Sequence, residues 1–165
     1  AGVPLGNQTV LLRGVNDDTE VMRALVRGLL RMRVRPYYIF HCQLLAGTAH
    51  LRTTIEKGLE IMQALRGHTT GFGVPNYVLD TPYGKVPLLP QYLLGRSGDE
   101  VLVRTWNGAI WREPNPLHGD APATPLPEVP ADAYPGAATP RRPFPVAAGV
   151  PAPAPEPAPA AVAAG

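Results

Sequence analysis

The chain has 165 residues, 21 of them Pro and 17 Gly, a formal charge of +2 and one cysteine. That length suits one modest domain, and a lone cysteine excludes a disulfide framework or a four-cysteine metal site. The apolar runs fall well short of the roughly 20 residues of a membrane span, and no basic-then-apolar leader opens the chain. No membrane partner is therefore expected, and a cytoplasmic location is the default. Arg31, Arg33 and Arg35 cluster, but no nucleic-acid motif accompanies them. They read as a solvated helix end entering a strand, so no nucleic-acid partner is expected.

Gln8–Leu12 is a short apolar run with β-branched content and predicts a strand, closed by the turn 13-RGVNDD-18. Asp17 or Asp18 can cap a following helix over Glu20–Met32, where Val21, Met22, Leu25, Leu29 and Leu30 recur at helical spacing. A second strand, 37-YYIFHC-42, leads into a polar loop over 43–52. Thr53 or Thr54 opens a second amphipathic helix carrying Ile55, Leu59, Ile61, Met62 and Leu65. Gly67 ends it, 71-GFG-73 reads as a turn, and Gly73–Leu79 makes a third strand. Alternating strands and helices predict an α/β fold with a parallel sheet whose edges are open. Beyond Asp80 a loop is expected over 81–90, then a β-hairpin from 101-VLVRTW-106 and 109-AIW-111 around Asn107-Gly108. The last 45 residues, from Ala121, hold 13 Pro and 15 Ala and read as a disordered tail. The expected division is thus 1–92, 93–120 and 121–165.

In a parallel sheet, functional groups gather in the loops that follow the strands, here Arg13–Asp18, His41–Arg52 and Asp80–Lys85. The third is the most informative. A strand-end aspartate is followed by a glycine-bearing loop ending in Lys85, which is either a Schiff-base lysine or a solvated one. Asp80 is either a site residue or a turn cap. Cys42 reads as a buried, reduced thiol. His41, His50 and His68 lack metal-ligand spacing and read as hydrogen-bonding groups at a strand end, a loop and a helix end.

Five stretches, 4-PLGNQTVLLRGVNDD-18, 34-VRPYYIFHC-42, 47-GTAHLRT-53, 66-RGHTTGFGVPNYVLD-80 and 84-GKVPLLPQY-92, resemble in order and spacing the C-terminal half of the lysine 2,3-aminomutase family. The resemblance runs to about residue 113. It implies the C-terminal part of an incomplete (β/α) radical S-adenosylmethionine barrel, with the hairpin appended. In that family a [4Fe-4S] cluster cleaves S-adenosylmethionine, and pyridoxal phosphate holds a free amino acid as an imine while its amine moves from C2 to C3. Lys85 is the counterpart of the lysine that binds pyridoxal phosphate, Asp80 of a substrate-binding aspartate, and Asn7 and Gln8 lie near the S-adenosylmethionine site.

The departures are as informative. A second substrate aspartate of the family falls on Gln43, so one carboxylate faces the substrate instead of two; lysine is the first expected substrate and another α-amino acid the alternative. The segment 80-DTPYGK-85 is two residues shorter than the glycine-rich family loop. Asp18 stands where some members have a zinc-binding cysteine, and their C-terminal cysteine cluster is lacking, so no metal is expected on this chain. The three-cysteine cluster motif is absent too, and one cysteine cannot hold the cluster in the family manner. The expected partner is therefore the cluster-bearing N-terminal half of the same enzyme. A homo-oligomer is left open, and an inactive remnant or interaction module is the non-enzymatic alternative.

Overall fold

A computed structural model describes residues 2–117 and 122–138. Among the described residues, seven strands and two α-helices form a mixed α/β fold with two open sheets. The first unit runs β1 (Leu5–Leu11), α1 (Thr19–Arg31), β2 (Val34–His41), α2 (Ile55–Leu65), β3 (Asn76–Thr81) and β4 (Gly84–Pro87). Strands β1, β2 and β3 are parallel neighbours, as the alternation of strands and helices predicts, while β4 returns antiparallel to β3.

Local chemistry sets the helix boundaries. Asp18 caps α1 by accepting from the N–H groups of Glu20 and Val21 at 2.8 and 3.0 Å, since a short carboxylate reaches the orphan donors of the first turn. Thr54 does the same for α2 through the Lys57 N–H. Asn115 adds a distant cap, its Oδ1 accepting from the Ile55 N–H at 2.8 Å. The buried stripe of α1 is Met22, Val26 and Leu29. Val21, expected inside, is 46% exposed, and Val26 takes the inward place because it follows Met22 by four residues.

One face of the first sheet packs against the helices: Leu11, Ile39, His41, Tyr77, Leu79 and Val86 are all buried there. A register shift at Asn7/Gln8 leaves Tyr37 unpaired in β2, so both Pro36 and Ile39 face the core despite their odd separation. Helix α2 lies so close to β3 that a Cβ on Gly58 would sit 2.2 Å from the Tyr77 Cζ; only glycine permits that approach.

Three expectations are corrected. Residues 81–90 are not a loop throughout: β3 continues to Thr81, turns at Pro82-Tyr83 and returns as β4, placing Asp80 directly opposite Lys85. Thr81 secures this turn, its hydroxyl accepting from the Tyr83 N–H and donating to the Gly84 carbonyl. The expected hairpin is the second half of a three-stranded antiparallel sheet, β5 (Leu93–Ser97), β6 (Glu100–Arg104) and β7 (Ile110–Pro114). The Asn107-Gly108 turn falls where the sequence puts it, but the glycine-containing strand 93-LLGRS-97 lacks the alternation that announces a strand. Thirdly, residues 122–138 are ordered along both edges of that sheet. Arg96 exchanges backbone hydrogen bonds with Pro127 and Val129, and Ala138 bonds to Ile110 and Arg112. Gly95, at φ +144°, makes the first contact possible, because a Cβ there would lie 2.4 Å from the Pro127 carbonyl oxygen. Proline-rich chain suits an edge, where missing donors cost little. The rest of the expected tail, 139–165, lies outside the described residues.

Both sheets share one core, in which Val101, Val103 and Trp111 join the residues beneath β1–β4. Two buried ion pairs cross the junction, Arg96–Glu56 at 2.7 Å and Arg52–Glu113 at 2.5 Å. Among the described residues, no helix is long and apolar enough to cross a membrane.

Candidate functional site

Among the described residues, no helix covers the second face of the first sheet. Strand alternation places Gln8 and Val10 of β1, Tyr38 and Phe40 of β2, Asp80 of β3 and Lys85 of β4 on this side. Val10 is 43% exposed and the Lys85 side chain 49%. A cavity of about 410 Å³ lies at the C-terminal ends of β1 and β2, lined by Val10, Leu12, Phe40, His41, Cys42, Gln43, Leu45, Thr48, Leu51 and Asp80. Its walls are largely aliphatic and aromatic, and Asp80 is the one acidic group among the described residues that line it.

Asp80 is the hub of the polar contacts. Its Oδ1 lies 3.5 Å from the Lys85 Nζ, and its Oδ2 accepts from the Gln43 Nε2 at 3.2 Å. The ammonium of Lys85 also sits 5.5 Å from the centre of the Phe40 ring, within cation–π range. Lys85, Asp80 and Gln43 are thus brought together. Asn7 and Gln8 are not: neighbours in a strand point to opposite faces, so only Gln8 shares the open side. The Asn7 Oδ1 instead accepts from the Thr9 hydroxyl at 2.7 Å.

The turn that carries Lys85 is held from the second sheet. The Trp106 indole donates to the Tyr83 carbonyl at 2.7 Å, and the Tyr83 ring meets Trp111 edge to face. Neither tryptophan could be assigned to the site from sequence, because both lie more than 20 residues along the chain.

Beneath the open face lies a buried polar network that sequence reasoning did not anticipate. Arg52, 4% exposed, donates from Nε to the Cys42 carbonyl at 2.9 Å and from Nη2 to Glu113 at 2.5 Å. The same Nη2 lies 3.2 Å from the His41 Nε2. Arginine has no acceptor, so this imidazole nitrogen accepts. The proton therefore sits on Nδ1, which donates to the Tyr77 hydroxyl at 2.8 Å. Glu113 also accepts from the Trp111 indole at 2.9 Å. Burial, and then the Arg52 charge, push the His41 pKa down to about 3. Burial raises the Glu113 carboxyl, opposed by its Trp111 and Arg52 contacts, and raises the Tyr77 hydroxyl and the Cys42 thiol.

A folded pKa of about 3 against an ordinary 6.5 means that the unfolded state binds the proton first. The stability contributed by neutral His41 is full above about pH 6.5 and is lost progressively as pH drops toward 3. His41→Gln should flatten this part of the stability–pH curve, measured by urea unfolding; an unchanged slope would show that His41 is not its source.

Cys42 is buried and free. Among the described residues, no group of three or more His, Cys, Asp or Glu could hold a metal ion. A single thiol also does not fit a [4Fe-4S] cluster. Lys85 does fit a covalently held aldehyde cofactor, being half-exposed on an open face beside an aromatic ring.

A family model described as Lysine-2,3-aminomutase matches residues 62–135, spanning β3, the Lys85 turn and the second sheet. The L-lysine 2,3-aminomutase of Fusobacterium nucleatum is 54% identical over 112 residues, 67% of this chain and 26% of that protein. That of Clostridium subterminale is 51% identical over 120 residues, covering 72% and 29%. The glutamate 2,3-aminomutase of Clostridioides difficile is 53% identical over 112 residues, covering 67% and 26%. The chain therefore spans about a quarter of the length of these curated relatives. With identity near one half over 112 to 120 residues to these relatives, the chain belongs to the lysine 2,3-aminomutase family and represents its C-terminal part.

Proposed function

We propose that this chain forms the amino-acid side of the site in a 2,3-aminomutase, with L-lysine as substrate and β-lysine as product. The observation that carries this reading is the Asp80–Lys85–Gln43 cluster beside an aliphatic cavity with one carboxylate. A lysine side chain is four methylenes ending in an ammonium, which matches apolar walls and a single acidic end. Lys85 would hold pyridoxal phosphate through its Nζ. Asp80, held at Oδ2 by Gln43, which orients the carboxylate, would present Oδ1 to a cationic substrate side chain.

When bound, pyridoxal phosphate holds the migrating amine covalently, while S-adenosylmethionine with a [4Fe-4S] cluster supplies hydrogen abstraction. This chain does not supply the cluster ligands, so activity belongs to it together with a cluster-bearing N-terminal half. On this reading the open sheet face is the inside of an incomplete (β/α) barrel, which the missing half continues past β1. Gln8 faces that interior and is the stronger of the two candidates for contact with S-adenosylmethionine; Asn7 faces away from it.

Another α-amino acid is the second reading, favoured by Gln43 itself. Its amide neutralises no charge and can serve a guanidinium, amide or ammonium equally. The complete enzyme, assayed without oxygen on a panel of α-amino acids, should turn over L-lysine with the highest kcat/KM. Preference for glutamate would overturn the role given to Asp80, because two carboxylates would then face each other without compensation.

A further inference from the structure

The residues that meet substrate on the preceding reading sit where the sheet has ended. The parallel ladder stops at Leu11↔His41 on one side and at Phe40↔Val78 on the other, so Cys42 and Gln43 lie beyond its hydrogen bonds. Something else must fix their backbone if the Gln43 amide is to meet Asp80 at 3.2 Å. Two side chains do so. Arg52 donates to the Cys42 carbonyl from the core side at 2.9 Å. On the cavity side the Gln43 carbonyl accepts from the Leu45 N–H at 3.0 Å and meets the Thr48 hydroxyl at 3.1 Å, whose proton it shares with the Leu45 carbonyl at 3.0 Å.

We propose that Arg52 is a positioning residue for the amino-acid pocket: anchored on Glu113 of β7, it grips the Cys42 carbonyl and so sets the direction of Gln43, with Thr48 as the second hold. This rests on the reading of Gln43 and Asp80 as the pocket for the substrate side chain. The chemistry requires arginine. Its planar fork bonds Cys42 with Nε while Nη2 meets Glu113 and His41. A lysine ammonium reaches Glu113 or the carbonyl but does not present two fixed donors to both sides. The anchor is rigid, because the other Glu113 oxygen is held by the Trp111 indole and the Arg52 guanidinium is withdrawn from water. The second sheet, remote in sequence from the strand-end loops, thereby takes part in shaping the pocket.

A purely structural role is separated by a built-in comparison. Arg96 is equally buried and equally paired, with Glu56, yet it bonds no residue of the 42–52 loop. In the complete, cofactor-loaded enzyme, Arg52→Lys should raise the amino-acid KM about tenfold, the worth of one buried charge-assisted hydrogen bond. Its pyridoxal absorbance should be retained and its kcat should change less than its KM. Arg96→Lys should lower the unfolding temperature while leaving KM within about twofold. Equal KM values in the two variants would overturn the proposal. If Arg52→Lys does not accumulate, Thr48→Val keeps the buried pair and removes the other hold; a raised KM supports positioning of this backbone, and an unchanged one overturns it. Gln43→Ala separates the two levels of the argument. A raised KM there, with Arg52→Lys normal, overturns the positioning role alone. A normal KM in Gln43→Ala removes the pocket reading and the proposal with it.

Discussion

Lys85→Ala should abolish the visible pyridoxal absorbance of the complete enzyme and reduce turnover by at least about a thousandfold, the scale expected when a covalent catalytic group is lost. The chain contains two lysines, Lys57 and Lys85. Lys57 lies on α2 and pairs with Glu60 at 3.1 Å, so Lys57→Ala is the matched control and should keep both absorbance and rate. The Lys85 side chain is 49% exposed. Its removal creates no cavity and should move the unfolding free energy by less than about 0.5 kcal/mol. Loss of activity would then reflect chemistry and not misfolding. Borohydride reduction followed by peptide mapping should leave the pyridoxyl mark on Lys85. A normal absorbance band in Lys85→Ala would sink the role assigned to it.

The largest effect on stability is expected at Glu56. Its Oε1 accepts from Arg96 Nε and Nη2 at 2.9 and 2.7 Å, and its Oε2 from the Asn115 Nδ2 at 2.7 Å. Glu56→Ala leaves a guanidinium 6% exposed with no carboxylate, which costs about 3–5 kcal/mol. It also releases Asn115, whose Oδ1 caps α2. Glu60→Ala, at an exposed pair, should cost no more than about 1 kcal/mol. Urea or thermal unfolding of the complete enzyme measures both. A loss below about 1 kcal/mol at Glu56 would mean that water reaches Arg96 in solution. Replacing Arg96 and Glu56 together by apolar residues should recover part of the loss, because the penalty lies in the unpaired charge more than in the missing attraction.

The alternation of strands and helices over residues 5–81, the helix caps to within one residue (Asp17 or Asp18, Thr53 or Thr54) and the Asn107-Gly108 turn were legible in the sequence because each depends on neighbours within a few residues. The ordered motifs identified the family for the same reason: a long local match does not depend on folding. The pairing of Asp80 with Lys85 was half legible, since both residues stood out but the strand that sets them opposite each other did not. Strand β5 was hidden because Gly95, chosen for its approach to Pro127, interrupts the alternation. The ordered course of 122–138 was hidden because proline-rich composition describes a chain without partners, and here the edges of the second sheet are the partners.

What the sequence determined by itself, then, was the first three strands with their two helices, the family, and Lys85, Asp80 and Gln43 as the candidate residues. The tertiary structure alone decided that Gln8 and not Asn7 faces the open side and that His41 carries its proton on Nδ1. It also decided that Glu113 and Trp111, through Arg52, support a loop about 60 to 70 residues away. The physical reason is burial. A charged group withdrawn from water must find its partner in space, and separation along the chain places no limit on where that partner comes from.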